Sequence, residues 1–474
     1  MKINKLVLLV FSLVLAVLAI YILFYNLGHF PLENWDEAFY GQVTKEMLQT
    51  KNFITPHWDY QIWLDKPPMY MWVVSLVSIL IGLSELAIRL PSAVSAFVII
   101  GIATVYVYKK YSILASVFTF FTLLLNNVFT WRARSGNLDL LASLFIFISY
   151  LLLISKNKYK YPLLGLIFAF IYLTKASLVV LPFSIFVVSE IFYEYKNFRK
   201  NIKEYLKLLV IFLGISGLWL LLAYFQAGGK FVSYYLFQSD QGVAALSKFN
   251  PNYLLYVYYA LQRRFFWLFL IGLFFALLKI KQKQYFLLIA YSCLLILQLS
   301  FTSRDNNWYL IPAMPFWSIT IGLAAYSILK IFQRKKILYY SIAFIMLLIS
   351  SYICYKTLVI NILPILNSST VQKQAESGKL ISKLSKTGEV VVRLDNLIST
   401  TLYYDNRRTL DFAWVIQTND YWISKEDLLR GIKEKKINWL VGTDSEAEAV
   451  MQMSSPSLFQ RIQVNSEETI LKTK

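Results

Sequence analysis

About eleven stretches of almost unbroken apolar residues run along this chain, at roughly 6–26, 87–108, 111–130, 138–155, 161–174, 176–194, 207–226, 264–279, 285–302, 308–329 and 337–360. Runs of this kind are what helices need to cross the hydrocarbon core of a bilayer. The pattern predicts an all-α polytopic membrane protein. The polar segments between many of the runs are short and basic: Lys109 and Lys110; Lys156, Lys158 and Lys160; Lys196, Arg199, Lys200, Lys203 and Lys207; Lys279, Lys281 and Lys283; Lys330, Arg334, Lys335 and Lys336. Short basic loops mark a cytoplasmic face. With Lys2 and Lys5 also inside, the threading starts in the cytoplasm and leaves the C-terminus outside. The first run is too long for a signal-peptide core and no small-residue cleavage site follows it, so it is expected to stay as the first span.

The segment PPMYMWVVSLVSILIGL, residues 67–83, does not fit that alternation. As a span it would put Lys109 and Lys110 outside and invert every later loop. It reads instead as a helix lying in the outer interface, opened by Pro67 and Pro68 where proline removes no needed donor; a short true span is the competing reading. Residues 27–86 then form a long first outer loop. From about residue 365 the pattern changes. GEVVVRLD (388–395) and INWLVGT (437–443) read as buried strands, and SKEDLLRGIKEKK (424–436) has helical spacing with Ser424 as its cap. Two domains are expected: a transmembrane one over 1–364 that includes the outer loop 27–86, and a small extracytoplasmic α/β domain over 365–474. The latter has neither a phosphate-binding glycine loop nor a catalytic triad order, which leaves it a structural or acceptor-docking role.

Composition supports the membrane reading and removes others. The chain is 57% hydrophobic with a mean hydropathy of +0.53, above what a soluble domain tolerates. Cys293 and Cys354 both lie inside apolar runs, so neither a disulfide framework nor a thiolate metal site is expected. Only two histidines are present, which argues against a histidine-rich metal site. The net charge of +20 would suit nucleic acid, but residues 361–474 hold 15 basic and 14 acidic residues. The excess therefore sits in the inside loops, and no nucleic-acid partner is expected.

The threading gathers Glu33, Asp36, Glu37, Asp59, Asp65, Lys66, Arg132, Arg134, Asp240, Lys248, Arg304 and Asp305 on the outer face. Charges beside hydrocarbon are costly and usually face a protein-lined cavity. In NWDEAFYGQVTKEMLQT, Phe39, Val43 and Met47 recur at helical spacing, the signature of an amphipathic helix suited to the interface. Asn34 with Glu37 can form a capping box there. That accounts for one acid and leaves Asp36, beside Trp35, unexplained. Further along, QIWLDKPPMYMW places Lys66 directly before the two prolines. A carboxylate and an ammonium on one loop suit a base that activates an acceptor and a cation that stabilises a departing phosphate. The bland alternative for Lys66 is a snorkelling lysine paired with Asp65. Arg132, Arg134 and Asp139 read equally as a structural ion pair.

The stretch WDEAFYGQVTKEML…W…DKPPMYMWVVSLVSILIGLSELAIRLPSA resembles the signature first loop of the membrane glycosyltransferases of the GT-C fold. Within them it is most similar to the protein mannosyltransferase and aminoarabinose transferase superfamily, glycosyltransferase family 39. RARSGNLDLLAS (132–143), YLTKASLVVLP (172–182), FQSDQGVAALSKFNPNYLLYVYY (237–259) and NNWYLIPAMP (306–315) agree in order, and together the patches cover most of residues 30–330. The resemblance implies a GT-C fold of about eleven transmembrane helices, interfacial helices in the first outer loop, and the C-terminal α/β domain. It also implies transfer of a sugar, with inversion, from a polyprenyl-phosphate monosaccharide to a lipid, glycan or protein acceptor outside the cytoplasm.

Carried over by position, Asp36 matches the loop carboxylate, a catalytic base or acceptor-orienting group, and Glu37 its neighbour. Lys66 matches the lysine that meets the donor phosphate, Asp139 the acid on the next outer loop, and Tyr309 the tyrosine before Leu-x-Pro near the lipid phosphate. Lys248, Arg263 and Arg264 are candidates for further phosphate contacts, and Tyr40 and Asp65 for the substrate pocket. Where the aminoarabinose enzymes carry a histidine-rich stretch, this chain has ALSKFNPNYLL, which leaves the acceptor open. A divalent cation, Mg or Mn, would sit at Asp36 or Glu37 if the enzyme uses one. The expected location is the plasma (inner) membrane, with membrane lipids around it. The rival from another class is a transporter or flippase of lipid-linked sugars, which would show internal symmetry and broken helices; no repeat stands out here.

Overall fold

The computed structural model describes residues 5–229, 231, 251–261, 263–301, 306–367, 372–394, 398–412 and 422–474. Asp240, Lys248, Arg304 and Asp305 lie outside the described residues. The chain divides into two compact units. One comprises Met1–Leu27, Leu64–Tyr70 and Arg89–Asn367; the other comprises Gly28–Trp63, Met71–Ile88 and Ser368–Lys474.

The first unit is a bundle of apolar helices, and each of the eleven expected stretches contains helix. Among the described residues six helices are long and apolar enough to cross a membrane: Lys5–Phe24, Glu85–Lys110, Ala176–Tyr193, Tyr195–Ala227, Asn307–Ile331 and Lys336–Leu366. Two bent pairs raise the number to eight, and Leu138–Ile154, Lys160–Thr174 and Lys283–Leu299 are shorter apolar helices. The protein is a multi-pass membrane protein. One bent pair corrects the expected span 111–130. Ile113–Leu124 and Asn127–Ala133 meet at 64°, because Asn126 leaves the first helix and caps the second, its Oδ1 accepting from Phe129 N at 3.0 Å. Its amide nitrogen donates to the Ala260 carbonyl at 2.7 Å.

Met314–Ile331 is the buried axis of this unit, with Phe316 and Trp317 at its centre. Lipid supplies no hydrophobic drive between helices, so close approach of backbones has to come from small residues. Gly322 provides it: a Cβ there would lie 2.5 Å from Thr119 Oγ1 and 2.9 Å from the Ala115 carbonyl. Gly272 likewise sits against the backbone of Thr320. Lys336–Leu366, by contrast, is almost entirely exposed, as a lipid-facing helix would be.

In the second unit, β1 (His57–Trp58) and β2 (Gln61–Ile62) form a short antiparallel pair. A sheet is built from β3 (Val390–Arg393), β4 (Arg408–Phe412), β5 (Trp422–Ile423), β6 (Trp439–Gly442), β7 (Phe459–Gln463) and β8 (Thr469–Thr473), in the order β5-β4-β3-β6-β8-β7. The first four are parallel; β8 and β7 close the far edge antiparallel. The expected strands and the helix Lys425–Lys433 are present, and Ser424 caps that helix by accepting from Asp427 N at 3.1 Å. Arg393, fully buried in β3, holds Glu468 through two hydrogen bonds of 2.7 and 2.6 Å.

The same unit contains Gly28–Trp63 and Met71–Ile88, most of the expected first outer loop. Its helix Asp36–Thr50 does not lie open on an interface: Glu37, Ala38, Tyr40, Gly41, Gln42, Val43, Thr44, Glu46 and Met47 are all buried. The helix Ile398–Asp405 of the C-terminal segment packs on it. The capping box expected of Asn34 is not formed. Trp35, at φ 64°, occupies the cap position without a side-chain bond, and Asn34 Oδ1 accepts instead from Thr400 N at 3.2 Å, in the first turn of the C-terminal helix. The apolar segment 67–83 forms the helix Met69–Ile81, about 20 Å long against a hydrocarbon core of about 30 Å. Its Trp72 Nε1 donates to the Phe53 carbonyl at 2.6 Å.

Candidate functional site

A buried cluster of charges and aromatic rings forms where three chain breaks of the helical unit meet. After the bend at Asn126, the short helix Asn127–Ala133 carries Arg132 near its end. The chain then turns through Ser135 and Gly136 to Asn137, which caps Leu138–Ile154 by accepting from Asp139 N at 3.0 Å. Asp139 therefore stands in the first turn of a helix, where the backbone dipole favours a negative charge. Lys175 follows the helix Lys160–Thr174 as a single extended residue (φ −155°, ψ 93°) before a 3₁₀ turn, Ala176–Val179.

These breaks bring the side chains together. Asp139 Oδ2 accepts from the Arg132 guanidinium at 2.7 Å and Oδ1 from Lys175 Nζ at 3.2 Å, with the Asp139 side chain 4% exposed. Lys175 Nζ also lies 4.1 Å from the centre of the Tyr309 ring, and the Arg132 guanidinium 5.4 Å from that of Trp308. Cations over aromatic faces gain most where water is excluded. Trp308 and Tyr309 sit on the 3₁₀ turn Asn307–Ala313 that leads into the central helix. Of the expected site residues, Asp139 and Tyr309 thus share one cluster through Lys175.

Lys175 was missed by sequence reasoning. The available signal was a lone ammonium in YLTKAS, at the joint of two apolar stretches. Arg134 has a different task from Arg132. Its guanidinium donates to the Ile22 and Tyr25 carbonyls at 2.8 and 2.7 Å, closing the end of the first helix rather than joining an ion pair with Asp139.

Elsewhere in the helical unit, Lys66 is buried, with Nζ 2.6 Å from Asp65 Oδ2. The pair expected of a snorkelling lysine is present, but the ammonium is enclosed rather than raised into water. Arg263 is exposed, has φ 58° at the start of the helix Arg264–Leu277, and lies 5.0 Å from the Tyr259 ring centre.

The remaining candidates are in the second unit. Asp36 is the first residue of its helix and half-buried; Glu37 is buried, and its Oε2 accepts from Glu33 N at 2.7 Å. Tyr40 is buried, 6.3 Å from Trp63 between ring centres, beside a Phe39–Trp58 stack of 4.7 Å. Among the described residues no three His, Cys, Asp or Glu side chains gather to hold a metal ion.

A second polar cluster surrounds Lys45. Its Nζ donates to the Tyr403 carbonyl at 2.6 Å, and burial lowers its pKa. Burial also raises Glu46, which accepts from Gln42 and from Tyr60 N. Nearby, Asp405 is pushed up to about 8 by burial, against hydrogen bonds from Arg407 N and Thr409.

Comparison with known proteins adds the following. Residues 65–220 match the sequence model of the dolichyl-phosphate-mannose-protein mannosyltransferase family. A protein of Aquifex aeolicus with no assigned function is 28% identical over 308 residues, 62% of this chain and 60% of its own length, so the match leaves two fifths of that relative uncovered. The undecaprenyl phosphate-α-4-amino-4-deoxy-L-arabinose arabinosyl transferase of Pseudomonas savastanoi is 35% identical over 60 residues, 13% of this chain and 11% of that one. In three dimensions, ArnT from Cupriavidus metallidurans in the apo state superposes with a TM-score of 0.78 over 97% of each chain at 14% identity; its undecaprenyl phosphate-bound form gives 0.76 at 15%. At that identity the likeness speaks for the fold, while the sequence match lies on the stretch holding Lys66, Arg132, Asp139 and Lys175. Helical bundle and appended sheet have the fold of ArnT, and residues 65–220 are similar in sequence to the dolichyl-phosphate-mannose-protein mannosyltransferases.

Proposed function

We propose that the protein transfers a monosaccharide from a polyprenyl-phosphate donor to a lipid, glycan or protein acceptor at the extracytoplasmic face of the plasma membrane, with inversion at the sugar carbon. The observation that carries this reading is the cluster in which Asp139 holds Lys175 against Tyr309, buried among apolar helices. A cation fixed in advance in a low-dielectric site is what a departing phosphate requires, because charge grows there as the bond to the sugar breaks. The ArnT structure with bound undecaprenyl phosphate is a fold relative whose ligand has this chemistry.

In this reaction the acceptor hydroxyl or amine gives its proton to Asp36 as it attacks the anomeric carbon. The bond from that carbon to the phosphate oxygen breaks, and the electron pair leaves with the lipid phosphate. A single displacement inverts the centre. Asp36 stands at a helix start, and Glu37 ties the preceding backbone at Glu33 N. Lys66, oriented by Asp65, together with Lys175, Tyr309 and Arg263 meets the phosphate, while Tyr40 lines the sugar pocket.

The test is transfer from a lipid-phosphate sugar in membranes holding Asp36→Asn or Lys66→Ala. Loss of one such contact should lower the rate about a hundredfold or more; wild-type rates in both variants would remove the assigned chemistry. A flippase of lipid-linked sugars is the second reading, favoured by the helix broken at Asn126 beside buried Arg132. Lipid flux in liposomes without any glycosylated product would select it.

A further inference from the structure

We propose that the C-terminal α/β segment is the positioning device for the Asp36 helix, with Tyr404 as its principal positioning residue; this rests on the transfer reaction proposed above. The helix Ile398–Asp405 fastens the outer loop on both sides of Asp36. Before it, the Tyr404 hydroxyl accepts from Leu32 N at 2.9 Å and donates to Glu85 Oε1 at 2.8 Å. Thr400 N donates to Asn34 Oδ1 at 3.2 Å, and Thr400 Oγ1 to the Leu32 carbonyl at 3.4 Å. After it, Lys45 Nζ donates to the Tyr403 carbonyl at 2.6 Å. Gly41 lets the Tyr403 ring come so near that a Cβ there would lie 3.3 Å from it, and 2.9 Å from Ile88. Lower on the loop, Thr409 N donates to Asp59 Oδ1 at 3.1 Å.

Between these anchors Trp35 is held at φ 64°, ψ −124°, a backbone conformation that bulky L residues rarely adopt. Such a conformation persists only where its surroundings over-determine it. Leu32 and Asn34 on one side and Gly41 and Lys45 on the other are held by one eight-residue helix of the C-terminal segment, beside the local bonds from Glu33 N to Glu37 Oε2 and from Ala38 N to the Glu33 carbonyl. The direction in which Asp36 leaves Trp35 is therefore set by residues 400–404. Tyr404 is central because its hydroxyl joins the segment before Asp36 to Glu85, at the start of Glu85–Lys110. The shift of Asp405 to about 8 fits a helix end closed off from water by this packing.

The experiment compares the full-length protein with Tyr404→Phe by amide hydrogen exchange and by transfer kinetics with the lipid-phosphate sugar. The expected result is exchange across residues 31–45 faster by tenfold or more, unchanged protection of β3 and β6, and kcat lowered about tenfold with KM for the lipid donor unchanged. A KM change matching the kcat change, or exchange across 31–45 at the wild-type rate, would overturn the assignment. Where Tyr404→Phe yields no folded protein, Asn34→Ala breaks the same clasp from the loop side and decides by the same readouts. If wild-type protein shows no transfer at all while exchange responds as expected, the anchoring stands and the transfer reading is what fails.

Discussion

Replacing Asp139 with Asn keeps the shape of the side chain and removes only its charge, leaving Arg132 and Lys175 facing a neutral amide. The carboxylate takes Arg132 at 2.7 Å and Lys175 at 3.2 Å. At an effective dielectric of about 20, each attraction is about 5–6 kcal/mol, opposed by the cost of drying the charges. The measurable consequence is the cost of stranding buried cations, about 3–5 kcal/mol, a large part of a stability of about 5–15 kcal/mol. Lys175→Met keeps an unbranched stem against Tyr309 and leaves Asp139 with Arg132, so it should cost less. The double variant should recover about 1–3 kcal/mol relative to the sum of the singles, as partners in one network do. Transfer should behave differently: each single variant and the double should lose about 10²–10³ in rate, with no recovery in the double, because a preplaced cation is missing in all three or no longer oriented. Chemical unfolding in detergent reads the stability, and transfer at matched folded-protein concentration reads the rate. Recovery of both quantities in the double variant would make the cluster a structural tie and refute its role at the phosphate.

Gly322→Leu should abolish folded protein, since even a Cβ there meets Thr119 Oγ1 at 2.5 Å and over-packing by several carbons costs more than the usual 1–3 kcal/mol; the yield of monodisperse protein checks it, and a normal yield would contradict the close helix approach. Asp405 gives a pH dependence. Its folded pKa of about 8 lies above the ordinary 3.8, so the folded state holds a proton that the unfolded state has lost, and stability falls by up to about 1.4 kcal/mol per pH unit as pH rises from about 4 to 8. Lys45, lowered by burial, acts oppositely and only at higher pH, below 10.5; Asp59 raises Asp405 further and Lys45 opposes it. Asp405→Asn should flatten the slope between pH 5 and 8 in thermal unfolding, and an unchanged slope would contradict its burial.

What periodicity alone dictates was legible beforehand. The apolar runs became helices, the Ser424 cap formed where its spacing placed it, and the motif around Lys66 pointed to the fold that the chain shares with ArnT. Most of the features that sequence reading missed depend on partners far away in the chain. Asn34 looked like the cap of its own helix because only its near neighbours were visible; its partner, Thr400, is 366 residues away. The helix Asp36–Thr50 read as amphipathic because its polar side has no local reason to be covered, and a C-terminal helix covers it. The break at Asn126 was hidden inside an apolar run, since an asparagine with neighbours on both sides gives little sign of which helix it ends. Lys175 could have been noticed as a charge between two spans, but its pairing with Asp139 required knowing that two turns of the chain meet.

The 366 residues between Asn34 and Thr400 also set a timetable for biogenesis. At about 5–20 residues per second, the ribosome completes the second partner about 20–70 s after the first. During that interval every later helix is being inserted while the outer loop waits with Lys45 and Glu46 in water, where both are comfortable. Their desolvation is postponed to the end of synthesis. Nascent chains arrested before residue 400 would carry the motifs around Asp36 and Lys66 and still lack the helix that packs on Asp36–Thr50.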